Sequence, residues 1–323
     1  MIVTSCPLRI SLVGGSTDHP KFIEKYGMGS VISFASTLRT YITIHQDTFG
    51  MNKIEHKYSI NYSKKESVKY VDDIQNELIR CCFKYLGVKE INCSMTSDIY
   101  SVGSGLAASS SYLLSLIKSI YVMRKESITE FEVCKIAEKI EREFNPLVGQ
   151  QDFYGSMGGL KRIKFYKDED PEIRFLNNKL FDILDCYLIY TGILRNSTKV
   201  LETIDIDKSL PLLDDVVDLE KSIKDCDSNS FNSIINKSWE NKKRTSSHIC
   251  ENEVLVNLDE KLKNDKNILS HKLCGAGNGG YFLIFTQKNL KEILEQDYQN
   301  IIRIGISEIG LNFINFKNEY TEL

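Results

Sequence analysis

No two of the nine cysteines stand in a CxxC arrangement, and most of them lie scattered in apolar segments. This scatter excludes the clustered thiolates of a structural zinc site. An odd number of cysteines without framework spacing also argues against a disulfide scaffold, and it is typical of free thiols in a reducing compartment. We therefore expect a cytoplasmic protein.

The sequence also lacks any apolar run of about 20 residues, the length that crosses a bilayer. The first residues, "MIVTSCPLRISLV", show no basic region followed by a long apolar core, so we expect no signal peptide. There is no excess of basic residues either, since 41 Lys and Arg stand against 44 Asp and Glu. We expect neither a nucleic acid nor a membrane as partner, and a small molecule becomes the expected ligand.

The informative stretch is "SVGSGLAASSSYLLSLIKSIY", residues 101–121. Gly103 and Gly105 allow a close backbone approach to a ligand, and apolar residues at helical spacing follow them. A helix N-terminus after such a loop offers unpaired amide groups to a phosphate. A glycine-rich turn with serine caps explains the same residues, and that alternative stays open on this stretch alone.

Two known phosphate motifs can be tested on this loop. The P-loop pattern GxxxxGK[ST] fails, because no Lys-Ser or Lys-Thr follows the glycines at the required place. Gly103, Gly105 and Ala108 fit GxGxxG/A, but the dinucleotide fold requires a second strand ending in an acidic residue about 20 residues later. The sequence there leads into another helix. A lysine-free nucleotide loop remains, and it would need Mg²⁺ with oxygen ligands.

The rest of the chain mixes strands and helices without repeated βαβ units, which favours an α+β fold. We expect strands at 2–13, in "SVISFAST", in "TYITIHQ", at 91–97 and at 160–166. Helices are expected at 72–86, after the glycine loop, and from a capping box at "TEFE" to about Phe144. The second half is expected to open with the strand "LDCYLIYTG", followed by helices near 210–226, 230–248 and 251–264, another helix, and a strand around 311–317. The polar run at 167–172 is the candidate domain boundary.

Acidic residues and one arginine accompany these elements. Glu138 and Glu141 lie on the helix before Pro146, and Asp152 follows in a glycine-flanked loop, where a carboxylate is well placed to face a ligand. Arg9 lies on the first strand and Asp18 follows its double glycine. An arginine in a strand is either at an edge or paired with an anion. A solvated helix face and a turn residue are the alternatives for Glu138 and Asp18.

Four stretches in order, "PLRISLVGGSTDHP", "GSGLAASSS", "GQQDFYGSMGGL" and "KLCGAGNGGYF", resemble the motifs of the GHMP kinases over nearly the whole chain. The resemblance implies a two-domain α+β fold, with an N-terminal half like ribosomal protein S5 domain 2 and a ferredoxin-like C-terminal half. The expected domains are an ATP-binding domain at 1–168 and a second domain at 169–323.

The resemblance also implies roles for individual residues. ATP phosphates would lie on residues 103–110, that is Gly103, Ser104, Gly105, Leu106, Ala107, Ala108, Ser109 and Ser110. Mg²⁺ would be held by Ser109 and Glu141, and Asp152 would be the catalytic aspartate, kept ionised by Arg9. The sugar site would be lined by Gly15, Thr17, Asp18, Thr191, Gly192, Arg195, Ser197, Gly275 and Gly277. Arg195 is the first candidate for a substrate phosphate, and Lys161, Arg162 and Lys199 follow it.

Within the family the chain is most similar to bacterial kinases of D-glycero-D-manno-heptose 7-phosphate and their fucokinase relatives. The implied reaction is ATP-dependent phosphorylation of the anomeric hydroxyl of that sugar phosphate, toward nucleotide-activated heptose for surface polysaccharide. A kinase for an unphosphorylated sugar, a non-catalytic nucleotide or sugar sensor, and an oxidoreductase remain alternatives, and a homodimer is left open.

Three departures from the family pattern bear on these expectations. Ala107 and Ala108 stand where a glycine and a serine are usual, which could alter the phosphate contacts or shift the register of the metal ligand. Asn278 replaces a glycine, and asparagine tolerates left-handed conformations. His19 stands where an apolar residue is common, which leaves the sugar undecided.

Overall fold

The structure is a computed structural model that describes residues 1–46, 56–100, 103–194 and 197–316, with the backbone alone at 197–199. Its strands are β1 (Ile2–Val13), β2 (Met28–His45), β3 (Tyr58–Asn61), β4 (Lys65–Val68), β5 (Ile91–Ser97), β6 (Leu160–Tyr166), β7 (Glu169–Leu176), β8 (Leu184–Tyr190), β9 (Ile268–Leu273), β10 (Tyr281–Gln287), β11 (Ile301–Ile304) and β12 (Asn312–Asn315). Its helices are α1 (Pro20–Tyr26), α2 (Glu77–Leu86), α3 (Ala108–Arg124), α4 (Glu130–Phe144), α5 (Gln151–Tyr154), α6 (Ser197–Glu202), α7 (Pro211–Lys224), α8 (Ser228–Arg244), α9 (Glu253–Asn264) and α10 (Lys291–Asp297).

The strands form two sheets. The first runs β12-β1-β2-β5-β3-β4, and β6 joins it beside β2 with β7 outside β6. The second runs β11-β8-β10-β9. Every pairing is antiparallel except that of β3 with β5. This is not a doubly wound sheet, as the absence of repeated βαβ units predicted.

Three apolar cores hold these layers together. One lies between α2, α3 and α4 and a face of the first sheet. The second joins the other face of that sheet to the second sheet and to α7 and α8. The third covers the far face of the second sheet with α8 and α9. Because the central core joins both sheets, the elements at their common edge are held in fixed positions.

The expected strands "SVISFAST" and "TYITIHQ" are one continuous strand of 18 residues. Its first part pairs with β6 and its last part with β5, so the change of neighbour occurs within the strand. The two stretches are separated by Leu38 and Arg39, which belong to the same strand. The strand is continuous because β1 pairs along both parts.

The polar run at 167–172 forms the turn of the hairpin between β6 and β7 and the first half of β7. Asp168 in the turn has a φ of +63°, and β7 starts at Glu169. β7 is mostly exposed and lies at the edge of the first sheet, where Pro171 is tolerated. The expected boundary between 168 and 169 therefore falls inside this hairpin. The change of sheet comes between β7 and β8, and β12 returns to the first sheet, so the division at 168 stays a prediction.

The N-terminus of α4 follows its sequence signal, and the packing of α3 depends on small side chains. Thr129 caps α4, since its hydroxyl accepts from the Glu132 amide at 3.2 Å and the Glu132 carboxylate accepts from the Thr129 amide at 2.8 Å. α3 packs closely on β1 through small hydroxyl side chains, with Thr4 and Ser119 joined at 2.6 Å. In the described ranges, none of the helices has the length and apolar character that a bilayer span requires.

Candidate active site

A cavity of about 540 Å³ lies where β1, the N-terminus of α3, the C-terminus of α4, α8 and the end of β9 meet. Its wall has two distinct ends. The phosphate-loop end is formed by residues 103–105 and 107–110 with Glu141, and the turn end by Gly15, Ser16, Asp18, His19 and Lys242. Asp152 also lines the cavity.

The phosphate-loop end is shaped by backbone. Gly105 has a φ of +81°, and a Cβ atom there would lie 2.6 Å from the carbonyl oxygen of Cys274. Ala107 precedes α3 in a left-handed conformation with a φ of +58° and supplies no side-chain cap. The first amide groups of α3 therefore border the cavity without a capping side chain, and the helix dipole favours an anion there. Seven of the eight expected phosphate residues line the cavity, whereas Leu106 is buried in the central core.

Glu141 lies in the last turn of α4 and is 3% exposed. Its carboxylate accepts a hydrogen bond from the Ser110 hydroxyl at 2.8 Å. Burial, with a smaller contribution from the charge of Asp152, raises the pKa of Glu141 to about 7, although hydrogen bonds from Ser110 and Asn145 act in the opposite direction. Ser109, the serine expected to hold the metal with Glu141, is exposed and also lines the cavity. Its role as a metal ligand stays a prediction.

Asp152 stands in the first turn of α5 and is 22% exposed. It forms an ion pair with Arg9, which is almost completely buried on β1. The other terminal nitrogen of Arg9 donates to the Gly105 carbonyl at 3.4 Å. One guanidinium group thus joins the carboxylate to the phosphate loop. Gly155 makes room for it, because a Cβ atom there would lie 2.4 Å from Arg9 Cγ.

Asp18 lines the cavity, but its oxygens are occupied. They accept from the Ser16 amide at 3.2 Å, from the Gln151 amide at 3.2 Å and from Gln151 Nε2 at 2.9 Å. Burial, followed by the charge of Asp152, raises the pKa of Asp18. Since Gln151 is the neighbour of Asp152, Asp18 fixes the start of α5 in addition to bordering the expected sugar site.

The other expected sugar-site residues divide into three groups. Gly15 and Gly275 line the cavity. Thr17, Thr191 and Gly277 are structural: the Thr17 hydroxyl donates to the Ser30 carbonyl at 2.8 Å, that of Thr191 donates to the Gly280 carbonyl at 2.9 Å, and Gly277 packs on Ile249. Gly192 is exposed and does not line the cavity. Arg195 and the side chains of Ser197 and Lys199 lie outside the described residues.

The remaining cation candidates are used elsewhere. Lys161 is buried and donates to the carbonyls of Gly155 and Gly159 at 3.0 Å. Arg162 forms an ion pair with Glu220 at 2.6 Å. Neither lines the cavity.

Two lysines that sequence reasoning missed do line the cavity, Lys242 on α8 and Lys272 on β9. Lys272 Nζ donates to the Ser11 carbonyl at 2.9 Å and the Leu12 carbonyl at 2.6 Å, and burial lowers its pKa to about 7. A lysine in an apolar strand just before a glycine loop was an available signal. Lys242 belongs to a run Lys-Lys-Arg that is typical of a solvated helix face, and nothing local distinguishes it from its neighbours.

Comparison with known proteins gives a consistent result. Residues 61–159 match the family described as GHMP kinases N terminal domain. A D-glycero-alpha-D-manno-heptose 7-phosphate kinase of Campylobacter jejuni is 28% identical over 311 residues, covering 90% of this chain and 91% of that protein. Both findings agree with the family resemblance of the sequence motifs.

Solved structures share the fold over almost the full length. A D-glycero-D-manno-heptose 1-phosphate kinase from Bacteroides thetaiotaomicron has a TM-score of 0.76 at 18% identity, covering 98% of this chain and 99% of its own. Lactococcus lactis galactokinase complexed with galactose has a TM-score of 0.70 at 14% identity, covering 97% and 95%. The expected resemblance and the expected α+β fold are confirmed.

Proposed function

We propose, on the premise that this chain contains the N-terminal domain of the GHMP kinases within the fold of that family, that it is an ATP-dependent sugar kinase. Its acceptor is D-glycero-D-manno-heptose 7-phosphate, phosphorylated at the anomeric hydroxyl to the 1,7-bisphosphate, as the name of the Campylobacter relative suggests. The observation that carries the proposal is Arg9, which joins the Asp152 carboxylate to the Gly105 carbonyl of the phosphate loop inside one cavity.

The phosphates of ATP bind at the phosphate-loop end. Amide groups from Gly103 to Ser110 and the positive end of the α3 dipole attract the anion, and no lysine is needed in the loop. Phosphoryl transfer demands positioning and charge stabilisation more than covalent chemistry. A rigid loop in contact with both sheets meets that demand.

Glu141 suits a magnesium ion. Its carboxylate is buried, adjoins the Ser110 hydroxyl and is close enough to Asp152 for their charges to interact. Oxygen donors of this kind, completed by phosphate oxygens and water, are those that Mg²⁺ prefers. Mg²⁺ held by Glu141 with a serine hydroxyl, Ser109 or Ser110, would neutralise charge on the phosphates.

Asp152 receives or orients the proton of the attacking hydroxyl. Arg9 holds the carboxylate in place, and Asp18 holds the adjacent Gln151, so both the charge and the start of α5 are fixed before substrate arrives. The hydroxyl oxygen attacks the terminal phosphorus in line, the bond to the bridging oxygen breaks, and ADP leaves. The protein operates in the cytoplasm, where ATP is supplied.

The test is ADP release by the purified full-length protein with Mg²⁺ and a panel of acceptors: the heptose 7-phosphate, the unphosphorylated heptose, fucose, galactose, mannose, mevalonate and homoserine. Phosphorus NMR identifies the new phosphate at the anomeric carbon. We expect turnover with the heptose 7-phosphate. Binding of ATP without turnover of any acceptor would contradict the proposal and indicate a binding protein built on a kinase fold.

A further inference from the structure

The turn end of the cavity holds a histidine whose second nitrogen is unused. His19 is 2% exposed and lines the cavity. Its Nδ1 caps α1 by accepting from the Lys21 amide at 3.2 Å. Its Nε2 is buried and has no hydrogen-bond partner among the residues the structure describes. A buried polar atom without a partner costs stability, which points to a ligand that completes it.

The hydrogen bond at Nδ1 determines what Nε2 can do. A ring that accepts at Nδ1 and is neutral carries its proton on Nε2, so this atom is a donor. Burial first, and then the charges of Lys21, Lys242 and Arg142, lower the pKa of His19 to about 4, so the ring is neutral near pH 7. Nε2 therefore carries a hydrogen that can be donated to an oxygen acceptor.

A cation lies on the same turn. Lys242 Nζ donates to the Ser16 hydroxyl and, at 3.4 Å, to the Gly15 carbonyl. Ser16 has a φ of +92°, which a residue with a side chain rarely adopts, and its carbonyl accepts from the His19 amide at 3.2 Å. Strained backbone of this kind persists where surrounding contacts hold it, often in a binding site.

Two hydrogen-bond acceptors of Lys242 at this turn, the Ser16 hydroxyl and the Gly15 carbonyl, are neutral. Hydrogen bonds between an ammonium group and an anionic oxygen are about twice as strong as those to neutral acceptors, so a phosphate would attract Lys242 from them. The carboxylate of Asp18 is close enough for its charge to interact with Lys242, and its oxygens accept hydrogen bonds from Ser16 and Gln151.

We propose that His19 and Lys242 bind the phosphate group that the sugar substrate already carries before the reaction. This inference rests on the proposed kinase function and names the residues that select a sugar phosphate over a free sugar. Among the described cations, Lys161 and Arg162 are bonded outside the cavity, Arg9 is paired with Asp152 and Lys272 donates to the Ser11 and Leu12 carbonyls. The turn end differs from these in placing a lysine near a buried donor that has no partner in the described part of the chain.

The test compares four variants with the parent protein on two acceptors, the heptose 7-phosphate and the unphosphorylated heptose. Lys242→Met removes the charge at nearly constant length, His19→Leu removes the donor, and His19→Gln restores an N–H group close to the position of Nε2. Lys21→Met is the matched control, because Lys21 is exposed and outside the cavity but within electrostatic range of His19. KM and kcat are measured for both sugars, and calorimetry measures the affinity for each sugar without ATP.

We expect Lys242→Met and His19→Leu each to weaken binding of the phosphorylated sugar by about 10- to 100-fold, both in KM and in calorimetric affinity. This is the contribution of a hydrogen bond to a charged group. KM and calorimetric affinity for the unphosphorylated sugar should change less than threefold, which is roughly the usual effect of a surface substitution. His19→Gln should recover part of the loss, and Lys21→Met should match the parent protein.

Equal weakening of both sugars in Lys242→Met and His19→Leu would overturn the inference, because the two residues would then contact the sugar ring or hold the turn. An unchanged affinity for the phosphorylated sugar would overturn it as well. If the parent protein turns over neither sugar, the kinase proposal fails and calorimetry alone decides: selective loss of the phosphorylated sugar supports the phosphate subsite, and no binding of that sugar to the parent protein rejects it.

Discussion

The two ends of the cavity are built in different ways. The phosphate-loop end comes from one continuous stretch of backbone and a carboxylate that lies 31 residues after Ser110. The turn end depends on side chains far apart in the chain, since Ser16 and Lys242 are separated by 226 residues. Backbone amides bind the phosphates of any nucleotide, whereas side chains at the turn end can change one at a time. Nucleotide binding can therefore stay fixed in this architecture while the acceptor changes.

The two ends also differ in electrostatics. Glu141 is a buried acid, and its raised pKa reflects that burial first of all. At the turn end Lys242 donates to Gly15 and Ser16, and Nε2 of His19 has no partner in the described part of the chain. The nearby carboxylate of Asp18 accepts hydrogen bonds from Ser16 and Gln151. The first end thus suits a cation with its nucleotide, and the second suits an anion. Asp152 is the carboxylate that the proposed reaction places between them.

The largest effect is expected at Asp152. Asp152→Asn keeps the shape of the side chain and removes its charge, so kcat should fall by about 10²- to 10⁴-fold, the usual contribution of a positioned base. KM for ATP and for the sugar should change little, because both ends of the cavity remain. Stopped-time assays of ADP release measure both constants.

Ser156→Ala is a suitable control for that variant, because Ser156 is buried shortly after α5 and its hydroxyl contacts the Asp152 carbonyl, at 3.5 Å, and the Cys6 thiol but not the Asp152 carboxylate. It should retain nearly full activity. A loss of less than tenfold in Asp152→Asn would mean that the residue neither accepts nor orients the proton, and that both ends of the cavity supply the rate without it.

Glu141→Gln should have opposite effects on activity and stability. The Mg²⁺ concentration for half-maximal rate should rise by about 10- to 100-fold, the range found when a metal site loses a supporting group. Above pH 7 the variant should be more stable than the parent protein. In the parent protein the pKa of Glu141 is raised from 4.5 to about 7, so the unfolded chain loses its proton first and stability falls as pH rises through this window.

Urea unfolding of both proteins at pH 4.5 and pH 8, without nucleotide or Mg²⁺, checks the sign. The variant should match the parent at pH 4.5 and exceed it at pH 8 by on the order of 1 to 3 kcal/mol, given about 1.4 kcal/mol per pKa unit. A destabilised variant at pH 8 would show that the Ser110 hydrogen bond contributes more than burial costs.

Two glycines test whether the ends act separately. In Gly105→Ala the new Cβ would meet the Cys274 carbonyl at 2.6 Å in a residue with a φ of +81°. In Gly149→Ala it would meet Asp18 Oδ2 at 2.0 Å. Strain of about 1 to 3 kcal/mol is usual for such changes, so we expect about a tenfold rise in KM for ATP in the first variant and for the sugar in the second. Equal shifts of both KM values in either variant would show that the ends are coupled.

The two ends of the cavity also differ in how well the sequence predicts them, because one is built from a continuous stretch and the other from side chains far apart in the chain. The phosphate loop was predicted because Gly103, Gly105 and a helix start are local signals. Glu141 and Asp152 were predicted by resemblance to ordered motifs, and the capping box fixed the helix that carries Glu141. What was missed depends on tertiary contacts: the hydrogen bond between Ser110 and Glu141, and the placement of Lys242, one residue of a basic run, in the cavity wall by the packing of α8 against β1.

Tertiary pairing also explains the misjudged strands. β7 has an exposed, polar pattern that looks like a linker, and only its pairing with β6 makes it a strand. β2 looked like two strands because its partner changes in the middle. The sequence of a segment indicates whether it can form a strand or a turn, but not which neighbouring strand forms its hydrogen bonds.

The smallest effect concerns backbone strain, which each end carries in one residue other than glycine. Ala107 has a φ of +58° and Ser16 a φ of +92°. A residue with a Cβ destabilises the folded state by roughly 1 to 2 kcal/mol when it is in the left-handed region. Glycine removes this strain, but about half of the gain is offset because glycine gives the unfolded chain more conformational freedom. Ala107→Gly should therefore raise the free energy of unfolding in urea by about 0.5 to 1 kcal/mol at constant slope, without loss of ATP affinity.

Two further glycine substitutions separate strain from contact. Ala108→Gly, one position later in the helical part of α3, should lower stability by about 0.5 to 1 kcal/mol, because glycine is unfavourable there. Ser16→Gly relieves strain but removes the hydroxyl that Lys242 contacts, so no gain is expected. If Ser16→Gly stabilised the protein as much as Ala107→Gly, the Lys242 contact would contribute nothing to holding the turn. Strain at the turn end would then be no different from strain in the phosphate loop.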